Sequence, residues 1–300
     1  MTIMEIQTFL NIEPTGILDE FTEAAIRNFQ AKTELEVTGQ PDSKTIDRII
    51  KCQEGFLDTD FTTKLEIKKY YLNPNEYFKT NQRKTAIFLH HTAGWNNPYE
   101  VVNAWERDAR GPVGTAYVVG GYNPQTNDDR YDGEIVECFN PLTGYAWHLG
   151  IGNTPLHRNS IGIEMCNFGW VVKDSLSKFR TYPINNKPGY VVDPTNVVHL
   201  SKPFRGYQDY LKYSDAQLVS IRSLLIELGN KTGIDITLGL QKRLKNLKDP
   251  WKAFDYDPTI GDSSTGLYLH SNVSKPNKWG NYEKWDCWPQ DELIQMIKSL

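Results

Sequence analysis

Cysteine is scarce in this chain and is not arranged as a framework. The 300 residues include four cysteines, which form no CxxC pair: Cys52, Cys138, Cys166 and Cys287. A disulfide-stapled secreted domain or a cysteine-rich zinc module needs denser or more regular spacing. The sequence therefore favours reduced thiols in a protein made in the cytoplasm over a set of disulfides.

Long apolar runs and a strong net charge are also missing. No stretch approaches the roughly 18 apolar residues that span a bilayer, so we expect no membrane partner. The start, MTIMEIQTFLNIEPTG, lacks the basic region, apolar core and cleavage site of a signal peptide, so export by that route is not expected. A formal net charge of -4 gives no general attraction to nucleic acid.

Residues 1–55 predict a small domain of three helices. Apolar residues recur at helical spacing around Ile6, Ile26 and Ile49, and breaks follow at Gly16 and Gly39. The half-motifs TGILDEFTEAAI and TGQPDSKTIDRI resemble each other, which predicts two similar loops that each lead into a helix.

The rest of the chain predicts a linker and a larger domain. Residues 56–83 are rich in threonine and charge and are interpreted as the linker. From residue 84, TAIFLHH, AYVVGG and SIGIEMCNFG predict buried strands, while apolar spacing at 213–231 and 289–300 predicts helices. We therefore expect an α/β or α+β domain over 84–300, with a central mixed sheet flanked by helices. Residues 169–210 show little periodicity and are interpreted as an insertion over one edge.

Three polar residues follow or interrupt apolar runs in a way that could form a metal site. His90 ends the strand IFLHH, His270 follows GLYLH, and Asp286 comes sixteen residues later. Two imidazoles and a carboxylate suit a catalytic zinc ion with an open fourth position. A histidine at a strand end is as often a hydrogen-bonded core residue, so this spacing alone leaves both possibilities open.

Seven motifs in one order give the larger domain a specific resemblance. FLHHTAG, TAYVVGG, DGEIVE, YAWHLGIG, NSIGIEM, YLHSNV and KWD resemble the second family of N-acetylmuramoyl-L-alanine amidases, which includes phage lysozymes and peptidoglycan-recognition proteins. The resemblance implies a zinc enzyme that cuts the amide between N-acetylmuramic acid and L-alanine. It implies zinc ligands at His90, His270 and Asp286, the last counted two residues after Lys284. Cys287 is the rival third ligand, because a thiolate is the softer donor.

The same resemblance implies roles for other residues around the cleft. Glu164 of NSIGIE would be the acid/base, with a buried ion pair as its alternative, and Lys284 would stabilise the oxyanion, with a solvated surface position as its alternative. His148 would contact substrate or orient Glu164, and a structural hydrogen bond is equally possible. Three further residues would contact substrate: Trp95, Trp147 and Thr115. Some family branches use a tyrosine where this chain has Thr115, and Tyr117 falls two positions later, which puts a tyrosine-based mechanism in doubt.

The amino-terminal 55 residues resemble the three-helix peptidoglycan-binding module of wall hydrolases. The matching positions are Gln7, Leu10, Gly16, Thr22, Ala25, Phe29, Gln30, Leu35, Gly39 and Thr45, most of which would also serve as core or turn residues in any small bundle. Together with the missing signal peptide, the two resemblances predict a phage endolysin that is made in the host cytoplasm and acts on peptidoglycan, and we expect it to be a monomer. The alternatives are a metal-free recognition protein and an amidase of soluble muropeptides.

Overall fold

The computed structural model describes residues 1–10, 12, 14–33, 35–53, 65–94, 96–124, 126–183, 188–277 and 286–300. Its helices are α1 (Ile3–Phe9), α2 (Glu20–Lys32), α3 (Ser43–Gln53), α4 (Pro98–Trp105), α5 (Pro155–Arg158), α6 (Asp215–Thr232), α7 (Leu240–Asn246), α8 (His270–Val273) and α9 (Asp291–Lys298). Its strands are β1 (Ile67–Lys69), β2 (Phe78–Lys79), β3 (Ala86–His91), β4 (Tyr117–Val119), β5 (Ile135–Glu137), β6 (Gly144–Tyr145), β7 (Ser160–Met165), β8 (Val171–Lys173), β9 (Phe179–Thr181), β10 (Val197–Phe204), β11 (Tyr207–Leu211) and β12 (Gly266–Leu269). Pro194–Asn196 and Pro250–Phe254 are short 3-10 helices.

A mixed sheet forms the centre of the larger domain, in the order β1-β5-β4-β7-β3-β12. Strands β4, β7, β3 and β12 run parallel, whereas β5 is antiparallel to β4 and carries β1 at its other edge. The three strands predicted from TAIFLHH, AYVVGG and SIGIEMCNFG are β3, β4 and β7. Helices flank this sheet, and the predicted fold class is confirmed.

Alternation along the parallel strands separates two cores. Ile87, Leu89 and Ile163 are buried in the large core that also holds apolar side chains of α6, α7 and α9. Phe88, one position along β3, instead packs in a smaller cluster with Tyr268 of β12 on the other side of the strand. Because side chains alternate between the faces of a strand, the even-numbered positions of β3 and β7 share one face.

Helix α6 is held against the sheet by both its ends and its buried face. The Ser214 hydroxyl caps the helix by accepting from the Gln217 backbone N–H, and Gly233 ends it in the left-handed conformation at φ 72°. The Gln217 side-chain amide donates to backbone carbonyls at the ends of β4 and β7, including Cys166 O at 3.1 Å. The helix predicted at 213–231 is thus confirmed, as is the final helix, seen as α9.

Part of the segment interpreted as a linker belongs to the sheet. Strand β1 pairs in register with β5, from Ile67 opposite Ile135 to Lys69 opposite Glu137, and Leu72 is buried in the large core. Strand β2 pairs with β6. Residues 67–79, which include both strands, are therefore part of the larger domain and not a linker; residues 54–64 lie outside the described residues.

The predicted insertion at 169–210 contains two antiparallel hairpins, β8–β9 and β10–β11. It has its own small core, in which Val171, Val192 and Leu211 are buried with Phe168. A backbone hydrogen bond from the Leu211 N–H to Gly169 O, 2.8 Å long, closes its two ends together. The segment is thus a structured unit, although its sequence lacks a simple period.

Two buried glutamines explain the repeated half-motif of the amino-terminal domain. The Gln7 side-chain amide donates to Thr22 Oγ1 at 2.8 Å and to Ile17 O at 2.9 Å. Gln30 makes the equivalent bonds to Thr45 Oγ1 at 2.8 Å and Gln40 O at 3.0 Å. Each glutamine therefore fixes one TG loop at the entrance to a helix, as the sequence echo predicts.

The four cysteines are free and buried. Burial raises the pKa of each thiol, most strongly for Cys138, Cys166 and Cys287. In the described part of the chain, no helix has the length and apolar character required to cross a membrane.

Lys84 predicts an unusual pH dependence of stability. It is 4% exposed, its ammonium donates to Gly144 O and Arg158 O, and burial lowers its pKa from 10.5 to about 8. Between these values the unfolded chain binds more protons, so the free energy of unfolding should rise with pH by up to about 3 kcal/mol. The check is urea unfolding at pH 7.5 and 10.5, comparing the native protein with Lys84→Met, in which the tyrosine and cysteine contributions cancel. An equal pH dependence in both proteins would contradict the assignment.

Candidate active site

The carboxyl ends of three neighbouring parallel strands bring the main polar residues together. His90 near the end of β3 lies opposite Glu164 of β7 in the strand register, and His270 follows β12 directly. Ligand sites of open α/β sheets lie at this edge, because the loops that follow the strands leave a crevice there. His90 and Glu164 share one face of the sheet and line one cleft of about 560 Å³.

Strand alternation distinguishes His90 from His91. The His90 side chain lies on the cleft face of β3, whereas the His91 ring makes an edge contact with Trp288, with centroids 5.6 Å apart. The His91 backbone N–H donates to Asp286 Oδ1 at 3.2 Å. Both residues line the cleft, but the His91 backbone N–H helps to orient the carboxylate, while the His90 ring lies on the same face of the sheet as Glu164.

His90, His270 and Asp286 form a compact buried group. One potential ligand atom from each lies within 4.8 Å of the others. Asp286 Oδ2 is 3.4 Å from His270 Nδ1, and Asp286 Oδ1 is 4.0 Å from His90 Nδ1. Burial alone would raise the pKa of Asp286, but His270, His91 and His90 outweigh it and hold that pKa well below its usual range. The carboxylate is therefore charged and available as a ligand.

Hydrogen bonds on the far side of each imidazole orient its Nδ1 toward the group. His270 Nε2 lies 3.2 Å from Leu149 O, a contact that requires a proton on Nε2, so that Nδ1 is the nitrogen with the lone pair when the ring is neutral. His90 Nε2 lies 3.0 Å from His148 Nδ1. Metal-binding histidines are commonly oriented in this way by a partner on the second nitrogen.

His148 belongs to a chain of hydrogen bonds behind His90. Its Nε2 lies 2.9 Å from Ser160 Oγ, and the Ser160 hydroxyl donates to His157 O at 3.0 Å. Burial lowers the pKa of His148 well below its usual range, which keeps the ring neutral. Both ring nitrogens have protein partners, so His148 positions the His90 ring, which agrees with the structural alternative. His148 also lines the cleft, and its contact with substrate stays a prediction.

His157 is a further member that the sequence analysis missed. It is 1% exposed, and its Nε2 accepts from the His148 backbone N–H at 3.1 Å. The sequence around it is polar and gave no sign of burial. The hydroxyl of Thr154 caps the helical turn that contains it, a signal that could have placed His157 in ordered structure.

Gly162 makes room for this arrangement on the cleft face of β7. A Cβ there would lie 2.7 Å from Thr115 Cγ2 and 3.0 Å from His148 Nδ1, closer than such atoms approach. The Thr115 hydroxyl donates to Tyr117 O at 2.8 Å. Thr115 therefore lines the cleft with its hydroxyl bound to backbone, and its role as a substrate contact stays a prediction.

The remaining predicted residues fall in different places. Tyr117 pairs with Ile163 and faces the large core at 2% exposure, so it does not reach the cleft and a mechanism based on it is disfavoured. Trp147 is 39% exposed and lines the cleft. Trp95 and Lys284 lie outside the described residues.

Cys287 lies outside the group that contains Asp286. The residue is fully buried and adopts a positive φ of 54°, and burial raises the pKa of its thiol well above the usual range. Adjacent residues in such a turn direct their side chains differently. Within the described residues, the group of potential ligands contains Asp286 and excludes Cys287.

The insertion supplies one wall of the cleft, which the sequence analysis also missed. Trp170 and Tyr182 of the insertion line the cleft beside Phe168. Trp170 stacks on Tyr207 of β11, with centroids 4.1 Å apart and an interplanar angle of 6°. These aromatic residues follow neither helical nor strand spacing, so the sequence gives no sign that they share one surface.

Comparisons with known proteins agree with these two domains. A family described as putative peptidoglycan binding domain matches residues 3–49, and a family described as N-acetylmuramoyl-L-alanine amidase matches residues 80–239, which is 160 of 300 residues. The second match ends before His270 and Asp286, so their assignment rests on the geometry. No curated protein matches the sequence.

Solved structures give weaker likenesses. A mutant endolysin from Bacillus subtilis is 22% identical with a TM-score of 0.26; the match covers 34% of this chain and 61% of that one. PlyL is 17% identical with a TM-score of 0.39, covering 78% and 98%. The E. coli N-acetylmuramyl-L-alanine amidase AmiD, in complex with a substrate, is 19% identical with a TM-score of 0.30, covering 52% and 47%. All three TM-scores lie below 0.5 and assign no function.

The match over more than half of the chain agrees with the order of motifs and with the cleft they form. The chain belongs to the N-acetylmuramoyl-L-alanine amidase family.

Proposed function

We propose that this protein is a zinc hydrolase that cuts the amide between N-acetylmuramic acid and L-alanine in peptidoglycan. The observation that carries the proposal is the buried group of His90, His270 and Asp286 in the same cleft as Glu164. Family membership supports the choice of this amide as the substrate bond, and the geometry supports these residues as the ones that act on it.

The donor set suits zinc. Two neutral imidazoles and one carboxylate are typical of catalytic zinc sites, which keep a further position open for water or substrate. The Nδ1 atoms of His90 and His270 face the Asp286 carboxylate, and their Nε2 atoms have protein partners. When bound, zinc would supply the Lewis acidity that lowers the pKa of a water molecule and polarises an amide carbonyl.

Glu164 is the proposed acid/base of the reaction. Its carboxylate, half-buried on the strand next to His90, would take a proton from the attacking water and pass it to the nitrogen of the departing L-alanine. Lys284 is proposed to offset the negative charge that develops on the carbonyl oxygen. The bond between the carbonyl carbon and that nitrogen breaks, which leaves a free lactyl carboxylate and a new amino terminus.

Digestion of purified sacculi tests the reaction directly. Mass spectrometry should show glycan strands freed of peptide and stem peptides with a new L-alanine amino terminus. Glycan fragments or peptides cut at another bond would refute the proposal. A metal-free recognition protein would bind the same sacculi and release neither product.

Replacing His148 should weaken zinc binding through His90. In His148→Ala, the His90 imidazole loses the partner of its Nε2, and such second-sphere changes typically cost about 10–100-fold in metal affinity. Competition with a chromophoric chelator measures the affinity. His199→Ala is the matched control, because His199 is exposed and bonds Asp209 away from the cleft. Equal zinc affinities of the two variants would contradict the positioning role.

We further propose that the amino-terminal module holds the enzyme on the wall and that the protein acts as a phage endolysin. The match of residues 3–49 to a peptidoglycan-binding family supports the first part. Its contact with the larger domain includes an ion pair of Arg27 with Asp215, 2.9 Å long and partly exposed, and pairs of this kind contribute about 0–1 kcal/mol. Lysis of intact cells by the protein added from outside would support the second part.

Deleting residues 1–53 should weaken retention on sacculi and spare cleavage of soluble muropeptides. A second binding contact raises the effective concentration of the enzyme at the surface, so its loss affects the insoluble substrate. The deletion stops before β1, because that strand is part of the catalytic sheet. Pull-down with insoluble sacculi measures retention, and equal binding of full-length and shortened protein would contradict wall binding by the module.

A further inference from the structure

Three aromatic side chains from separate parts of the insertion are assembled at the cleft. Trp170 precedes β8, Tyr182 follows β9, and Tyr207 lies in β11. The Trp170 ring stacks on Tyr207 at 4.1 Å and contacts Tyr182 at 5.4 Å with an interplanar angle of 45°. Trp170 and Tyr182 line the same cleft as His90 and Glu164. We call this pair, with Tyr207 behind it, the aromatic wall.

The aromatic wall is fixed in position relative to the catalytic residues. The Tyr182 hydroxyl approaches Gly94 in the loop after β3, where a Cβ would lie 3.6 Å from it. Antiparallel bridges join Trp170 to Tyr210 and Gly94 to Asn167. Tyr207 covers one side of the Trp170 ring, and the ring stays only partly buried. A ring held in this way loses little freedom when a ligand stacks on it.

The chemistry of the wall distinguishes between the two parts of the substrate. Stem peptides carry carboxylates, whereas the sugar rings of the glycan present faces of C–H groups that pack well on aromatic rings. Trp170 and Tyr182 have no charge, since burial raises the pKa of Tyr182 to about 12. Among the described residues that line the cleft, Arg110 is the one lysine or arginine. It shortly precedes Val113, which forms a bridge with Trp147 in a part of the lining that the insertion does not supply.

We propose that the aromatic wall binds the glycan strand, with a sugar ring stacked on Trp170, so that the insertion makes this enzyme selective for polymeric peptidoglycan. The inference rests on the proposed function for its substrate class, but it concerns binding and not hydrolysis. The insertion would thus have a role in substrate binding, whereas the catalytic residues do not require it for the reaction itself. The hydroxyl of Tyr182 adds a polar group beside the stacking face.

Binding of a peptide-free glycan tests the proposal apart from amide cleavage. The probe is a tetrasaccharide of alternating N-acetylglucosamine and N-acetylmuramic acid without stem peptides, titrated into the full-length protein by calorimetry. Trp170→Ala should bind it about tenfold more weakly, whereas Trp170→Phe should retain most of the affinity. Tyr71→Ala, which changes an exposed aromatic residue outside the cleft lining, is the control and should bind within about twofold of the native protein. The amino-terminal module, which includes residues 3–49, could itself bind the probe. The titration is therefore repeated on the protein that lacks residues 1–53, once circular dichroism shows that its sheet is native.

Kinetics on sacculi give the second measurement. Trp170→Ala should raise KM and leave kcat unchanged, because the wall would bind substrate and transition state equally. Unchanged glycan affinity in a folded Trp170→Ala protein, or no binding of the probe by the native protein, overturns the inference while leaving the amidase proposal intact. Loss of glycan binding in a protein that cleaves no amide would sustain the inference and reject the proposed reaction. Thermal unfolding of each variant, with Tyr182→Ala as an independent second change to the wall, separates misfolding from loss of binding.

Discussion

Glu164→Gln should lower the rate of peptidoglycan hydrolysis by about 10²–10⁴-fold, the usual contribution of a general acid/base group. Glutamine keeps the size of the side chain but cannot take the proton from water or deliver it to the L-alanine nitrogen. Release of new L-alanine amino termini from sacculi measures the rate.

The control for this change is Glu137→Gln on β5, which removes a carboxylate of the same sheet outside the cleft. Zinc content and thermal unfolding of the Glu164 variant should match those of the native protein, because Glu164 lies outside the group of potential ligands. A folded, zinc-loaded Glu164→Gln protein with nearly native turnover would reject the acid/base role.

Asp286→Ala should lose zinc and, with it, essentially all amidase activity. The change removes one of three proposed ligands, so the affinity for zinc should fall by more than the about 10–100-fold typical of second-sphere changes. Metal stoichiometry after dialysis against a weak chelator gives the result. Asp286→Asn retains the shape and an acceptor for the His91 N–H, and so separates loss of charge from local misfolding.

Cys287→Ser is the matched control, since it changes the neighbouring residue and the softer possible ligand. The Cys287 thiol is buried, and burial raises its pKa well above the usual range. The serine variant should therefore keep its zinc. Metal kept by Asp286→Ala and lost from Cys287→Ser would exchange the two assignments.

Long periodic elements were predictable from the sequence, and short edge elements were not. Helix α6 and strand β3 follow their apolar patterns closely. Strand β1 was not predicted because two of its three residues are lysines that remain exposed at the edge of the sheet. Its place depends on backbone pairing with β5, which leaves no alternating pattern in the sequence.

For the candidate site, sequence reasoning found the strand-end residues and missed what lies behind them. His90, His270 and Asp286 were predicted from a resemblance, and strand alternation explains why the ring of His90, and not that of His91, lies on the same face of the sheet as Glu164. His157 supports the site through a backbone N–H, a contact that no residue type reveals. Trp170 stacks on Tyr207, which is far from it along the chain, and this contact depends on two hairpins that fold together.

The inclusion of β1 in the sheet also sets a distance. The path from the end of α3 at Gln53 to Ile67 contains residues 54–66, and a chain of that length spans at most about 50 Å when fully extended. Had the whole of 56–83 been free chain, the limit would have been about twice as large. Wherever the amino-terminal module binds the wall, the start of the catalytic sheet can therefore lie no farther than this from the end of α3. The ion pair of Arg27 with Asp215 brings the two domains closer than that limit.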